Sequence, residues 1–342
     1  MKEFGSIDAR PYQLMLIVSH LGGRAKMNEV NTDEAGVGNL GDVRLDNILR
    51  AVRENPAIPL TLRCNVTGTY AFQNPGHDDD TPEGELFNAR RDLRILQRMG
   101  MVPGDTRPAI EIFRRLLENI ESARGILWLD DTSSESWKGA NRNACHYDEG
   151  RALGLDAIIP PRDKSEMRRA KSESTAAMYK AGILEIRPHH LMCMSCFYGD
   201  REKLAPIEVD NLFEAIDIIQ KNPEIPIRLI CGPCMICPPC YGYSPKTGLC
   251  SAGVAMSLRD ELKDLDVLQK LGMKYGDVIP AGKLYSLLYD RIASTTEICG
   301  HGDDKVRGLE WHVCRGAGGS PGYLRARKEG LGFLNRRDSS TM

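Results

Sequence analysis

The sequence predicts an α/β or α+β protein in which helix predominates, built from two tandem homologous domains related by a pseudo-twofold axis, with their strands sharing a sheet. Three observations carry that expectation. Arg10-Pro11-Tyr12-Gln13-Leu14-Met15 recurs as Arg187-Pro188-His189-His190-Leu191-Met192, and Asn55-Pro56-Ala57-Ile58-Pro59-Leu60 recurs as Asn222-Pro223-Glu224-Ile225-Pro226-Ile227. Leu96-Gln97-Arg98-Met99-Gly100-Met101 returns as Leu268-Gln269-Lys270-Leu271-Gly272-Met273, followed in each case by a Gly-Asp pair and a Pro-Ala pair. The three blocks keep their order at offsets of 177, 167 and 172 positions, a pattern expected of internal duplication, and 342 residues suit two domains.

The first copy is expected over residues 1–150 and the second over 182–330, with 151–181 as a polar linker containing a short helix and 331–342 as a tail. In the second copy an extended segment, Ile183 to Ile186, leads into Arg187-Pro188, where the proline suits the first position of a helix carrying Leu191 to Phe197. Leu212, Phe213, Ile216 and Ile219 have helical spacing within Val209 to Lys221, and Pro223 stops that helix. Leu45 to Glu54 is its counterpart. The β-branched run Ile225 to Ile230 reads as a buried strand, matched by Thr61 to Tyr70. A cysteine-rich loop follows, then helices Leu258 to Leu271, ended by Gly272, and Ala281 to Ile292.

Composition narrows the function. Forty-five basic and 47 acidic residues are interspersed, so there is no electrostatic footprint for nucleic acid. The start has no basic flank and apolar core of a secretory signal, and no apolar run approaches a membrane span. A cytoplasmic protein without a membrane partner is expected. Eleven cysteines, nine of them between Cys193 and Cys314, then point to a metal in a reducing compartment rather than to disulfides.

Those cysteines belong to one copy. Cys193 faces Leu16, Cys196 faces Ser19, Cys234 faces Thr67, Cys237 faces Tyr70, Cys240 faces Gln73 and Cys299 faces Leu127, whereas His189 and His190 face Tyr12 and Gln13. Only Cys231 meets a cysteine, Cys64, which with Cys145 reads as structural. A scaffold that repeats its apolar residues but not its soft ligands has separated fold from chemistry.

Cys231, Cys234, Cys237 and Cys240 stand at three-residue steps after a predicted strand, with Cys250 further on. Short spacers let thiolates converge on a metal centre, and Gly232, Pro233, Pro238 and Pro239 fix the turns. With Cys193, Cys196, Cys299 and Cys314, this gives more thiols than one tetrahedral zinc uses, which favours an iron-sulfur cluster, one or two in number, over zinc. His189 and His190 lie within one helical turn of Cys193, where a ring can ligate a cluster, exchange a proton with a substrate, or hydrogen-bond to sulfur. Arg187, repeated as Arg10, reads as structural. Radical S-adenosylmethionine, covalent-haem, Walker and dinucleotide-binding motifs are missing.

The pattern Arg-Pro-His-His-Leu-x-Cys, then Gly-Pro-x-x-Ile-Cys-x-x-Cys, a lone Cys, an Asp-x-x-x-Leu-x-x-Leu-Gly helix and a terminal Trp-x-x-Cys resembles the uncharacterised-domain family numbered 1284, described as iron-sulfur-binding proteins. The resemblance covers Arg187 to Cys314, with the first copy as a degenerate relative. It implies cluster binding by Cys193, Cys237, Cys240, Cys250, Cys299 and Cys314, with His189 and His190 beside it as candidate catalytic residues; Cys196, Cys231 and Cys234 are additional to the family pattern. Three functions follow as expectations. A 4Fe-4S cluster with an open iron acts as a Lewis acid on a small molecule, a closed cluster exchanges electrons with a redox partner protein, or zinc stabilises a binding module.

Overall fold

The computed structural model describes residues 6–27, 43–64, 82–126, 146–250, 258–299 and 319–334. Helix predominates, with small mixed sheets, and among the described residues no helix is long and apolar enough to cross a membrane. The chain divides into two compact units, Met1–Pro161 and Arg162–Met342.

The first unit runs β1 (Ile7–Ala9), α1 (Pro11–Met27), α2 (Val43–Glu54), β2 (Pro59–Leu62), α3 (Pro82–Met99), β3 (Thr106–Pro108), α4 (Ala109–Asn119), α5 (Tyr147–Ala152) and α6 (Leu155–Ile158). Strand β2 is central, parallel to β1 with Leu60 opposite Ile7, and antiparallel to β3 with Leu60 opposite Arg107. Parallel pairing requires a crossover connection, and α1 and α2 supply it. Its core gathers Leu14, Ile17, Leu49, Val52, Leu60 and Phe113.

The second unit runs α7 (Lys164–Met178), β4 (Leu184–Ile186), α8 (Pro188–Gly199), α9 (Leu212–Lys221), β5 (Pro226–Leu229), a hairpin of β6 (Tyr243–Ser244) and β7 (Leu249–Cys250), α10 (Leu258–Leu271), β8 (Val278–Pro280), α11 (Ala281–Arg291), α12 (Thr296–Cys299) and α13 (Pro321–Glu329). Strand β5 is central, parallel to β4 and antiparallel to β8. Each unit therefore has a three-stranded sheet of its own, in place of the shared sheet expected from sequence. Strands β3 and β8 were invisible to periodicity because three residues ending in proline carry no alternation.

Equivalent bonds recur in the two units. The amide of Gly104 donates to Leu62 O at 2.7 Å, as Gly276 does to Leu229 O at 2.7 Å. The Tyr147 hydroxyl donates to Ile120 O at 3.0 Å, and that of Tyr323 to Ile292 O at 2.9 Å. Helix pairs α1 with α5 and α8 with α13 cross closely: a Cβ on Gly22 would lie 2.2 Å from His146 O, and one on Gly199 would lie 1.8 Å from Gly322 O.

The expected linker is split. Residues 151–161 stay with the first unit, whereas α7, capped by the Asp163 carboxylate on the Glu166 amide, packs into the second. Lys171 binds Glu214 at 2.7 Å and Asp210 O at 2.6 Å. In the segment expected as a tail, Leu331 and Phe333 are buried in the second core, and residues 335–342 lie outside the described residues.

Candidate metal centre

Helix α8 begins where Pro188 occupies the first turn, leaving the Arg187 guanidinium and the His189 amide to find an acceptor. Both find Asp264 on α10, which is 0% exposed. One of its oxygens accepts Arg187 Nε at 2.9 Å and Nη2 at 2.6 Å; the other accepts the His189 amide at 2.9 Å and lies 2.8 Å from His189 Nδ1. Burial works against ionising Asp264, but His189 and Arg187 outweigh it and hold the carboxyl below its usual range. For His189, burial dominates and pushes the imidazole down to about 4, so it is neutral at pH 7.

Three residues separate His189 from Cys193, which places both on one face of α8, and both line a cavity of about 130 Å³. Cys237, Cys240, Cys250 and Cys299 line the same cavity from the loop after β5, the end of β7 and the end of α12. Five of the six family-pattern cysteines thus converge from four parts of the second unit. Cys314, like Cys145, lies outside the described residues.

The cysteine loop is a chain of turns. The amides of Cys237, Cys240 and Tyr243 donate to the carbonyls three residues earlier, at 2.9, 2.8 and 3.0 Å, so successive cysteines take the same phase. Arg162 clamps it: Nη1 reaches Pro238 O at 2.5 Å and Cys240 O at 2.7 Å, while Glu166 holds the guanidinium at 2.6 and 2.8 Å.

The three additional cysteines go elsewhere. Cys196 is buried on α8 where α13 packs, and Cys231 is exposed. Cys234 is buried, 3.1 Å from His190 Nδ1 and 3.9 Å from the Cys237 thiol. Burial raises the Cys234 thiol, but the Cys237 hydrogen bond and His190 outweigh it, leaving Cys234 the more acidic of the pair; Cys237 is raised, first by the bond to Cys234 and then by burial. His190 and Cys193 form one close set with His189, and His190, Cys234 and Cys237 form another, with ligand atoms within 4.8 Å in each. In the first unit Cys64 packs half-buried against the core, its thiol pushed up to about 11 by burial and Asp92.

Residues not expected from sequence complete the walls. Asp260 and Lys263, paired at 3.1 Å and both buried, come from α10, and Asp210, pushed up to about 6 by burial, precedes α9. Asp264 did leave a signal. It opens the Asp-x-x-x-Leu-x-x-Leu-Gly pattern and has Asp92 at the matching place in the first block.

Soft thiols, neutral imidazole and turns that present sulfur inward fit a thiophilic metal or cluster rather than a hard cation, which oxygen ligands would hold. No family model, curated protein or solved structure matches this chain.

Proposed function

We propose that the second unit binds an iron-sulfur cluster, 4Fe-4S in type, and that the protein works in the reducing environment of the cytoplasm. The convergence of Cys193, Cys237, Cys240, Cys250 and Cys299 on one cavity carries this reading. A bound cluster supplies one-electron redox capacity or, with one iron free of thiolate, a Lewis-acid position for a small-molecule oxygen or sulfur. Around it, the chain's residues orient and exclude: Arg162 fixes the loop carbonyls, Asp264 fixes His189, and Lys263 with Asp260 places a buried ion pair at the wall. A redox partner protein or a small molecule is the counterpart in this reading.

We further propose that the two units descend from one duplicated domain, as the resemblance to the family numbered 1284 also suggests. The repeated sequence blocks and the matching strand pairings support it. The first unit then keeps the frame without the ligands.

A second reading, structural zinc, draws support from the compact set of His190, Cys234 and Cys237. Anaerobic purification with measurement of iron, acid-labile sulfide and zinc per chain tests both. Near four iron and four sulfide are expected, and about eight of each would indicate two clusters. Zinc without sulfide would refute the iron-sulfur reading.

A further inference from the structure

We infer that His189 is itself a ligand of the metal centre, through Nε2, and that Asp264 is the residue that positions it. The inference rests on the metal-binding reading above and assigns the histidine to coordination rather than to acid-base work.

Four observations carry it. Asp264, already accepting two bonds from Arg187, can only accept at His189, so Nδ1 bears the proton and Nε2 is the coordinating atom. A histidine whose other nitrogen donates to a carboxylate is the usual arrangement of metal-bound imidazole, because the carboxylate fixes the tautomer and makes the ring a better donor. His189 lines the cavity with Cys193 one helical turn along, and a ring nitrogen of His189, one of His190 and the Cys193 thiol lie within 4.8 Å of one another.

The fourth observation separates scaffold from chemistry. In the first unit, Asp92 accepts Arg10 Nε at 2.8 Å and the Tyr12 amide at 3.0 Å, so the same aspartate-arginine staple closes the same helix start. Position 12 is a tyrosine there, with the Arg91 guanidinium 3.1 Å above its ring. The staple therefore works without imidazole. His189 is an addition found where the thiols are.

His190 has a different assignment. Its Nδ1 faces Cys234, so its bond is to sulfur, and it tunes that thiol without being required as the nitrogen ligand. Coordination by His189 needs no proton to leave: the Nε2 lone pair forms the new bond and Nδ1 keeps its hydrogen on Asp264.

The test uses the whole chain, purified anaerobically with ¹⁵N-histidine. Pulsed electron paramagnetic resonance of the dithionite-reduced protein should show a directly bonded nitrogen that responds to the isotope. It should vanish in His189→Ala and persist in His190→Ala. Asp264→Asn should weaken metal retention against a chelator about 10- to 100-fold.

Iron and sulfide with no bonded nitrogen would overturn this inference and leave the cluster reading intact, and so would a coupling that survives in His189→Ala. If the protein carries zinc instead, the cluster reading fails, and zinc-edge absorption of the variants decides the ligand: a nitrogen at about 2.0–2.1 Å that is lost in His189→Ala and kept in His190→Ala supports His189, whereas sulfur alone, or a nitrogen lost only in His190→Ala, refutes it. Uptake of neither metal would overturn both. Absence of a bonded nitrogen refutes the inference without any variant, so a variant that fails to fold leaves it open to refutation.

Discussion

Replacing Asp264 by alanine should cost the second unit about 3–5 kcal/mol, the loss expected when one partner of a buried ion pair is removed and the other is left behind. The carboxylate is 0% exposed and receives two bonds from Arg187, itself 2% exposed, as well as the His189 amide and ring. Without it a guanidinium stays buried with its hydrogen-bonded counter-charge gone and only Asp260, already paired with Lys263, nearby, and the first turn of α8 loses an acceptor. For a unit of this length each kcal/mol moves the midpoint by about 2–4 °C, so a fall of roughly 6–20 °C is expected. Metal-free protein should be used, because bound metal adds its own stabilisation. Calorimetry or urea unfolding measures the loss, and the double variant Arg187→Met with Asp264→Leu provides the control. Removing both charges should recover about 2 kcal/mol relative to Asp264→Ala. A single-variant loss under about 1 kcal/mol, or additive losses in the double variant, would refute the reasoning.

Other substitutions probe other parts of the argument. Cys193→Ser and Cys237→Ser should lower metal content per chain, whereas Cys196→Ala and Cys64→Ala should leave it unchanged; equal losses would remove the cavity from its role. Gly199→Ala puts a methyl 1.8 Å from a backbone carbonyl, so α8 and α13 must separate. The expected loss of about 1–3 kcal/mol exceeds the roughly 1 kcal/mol of helix propensity gained, and an unchanged melting temperature would contradict the close crossing. Burial pushes Asp210 up to about 6, so its folded form resists ionisation, and the cost of charging it grows as pH rises from about 4 through 6. Asp210→Asn keeps an oxygen for the Leu212 amide and should stabilise metal-free protein by up to about 3 kcal/mol at pH 8 but little at pH 4. Equal urea midpoint shifts at both pH values would show that the charge is not responsible.

Helices were legible where chemistry is local. Pro188 at a helix start, the spacing of Leu212, Ile216 and Ile219, and Gly272 with φ +65° after Leu271 each act within a few residues, and the structure puts elements at those places. Helix α9 begins at Leu212 rather than Val209 because the Asn211 amide is drawn to Ile236 O, a partner distant in sequence. Helix α13 carries a clear start in Ser320-Pro321 and a stop in Gly330, yet its nine residues have too little apolar period to be noticed.

By itself, the sequence determined which half of the chain carries most of the thiols, because residue type and spacing are fixed along the chain. Which thiols meet was decided in three dimensions. Cys193 and Cys196 are three positions apart on one helix, yet one lines the cavity and the other is buried in the core. Cys234 and Cys237 lie on consecutive turns, yet only the second lines it. Cys250 and Cys299 arrive from a hairpin and a distant helix. The same is true of Asp264, 75 residues from His189. Spacing sets the phase of a side chain within its own turn or helix, whereas the choice between core and cavity belongs to whichever element packs against it.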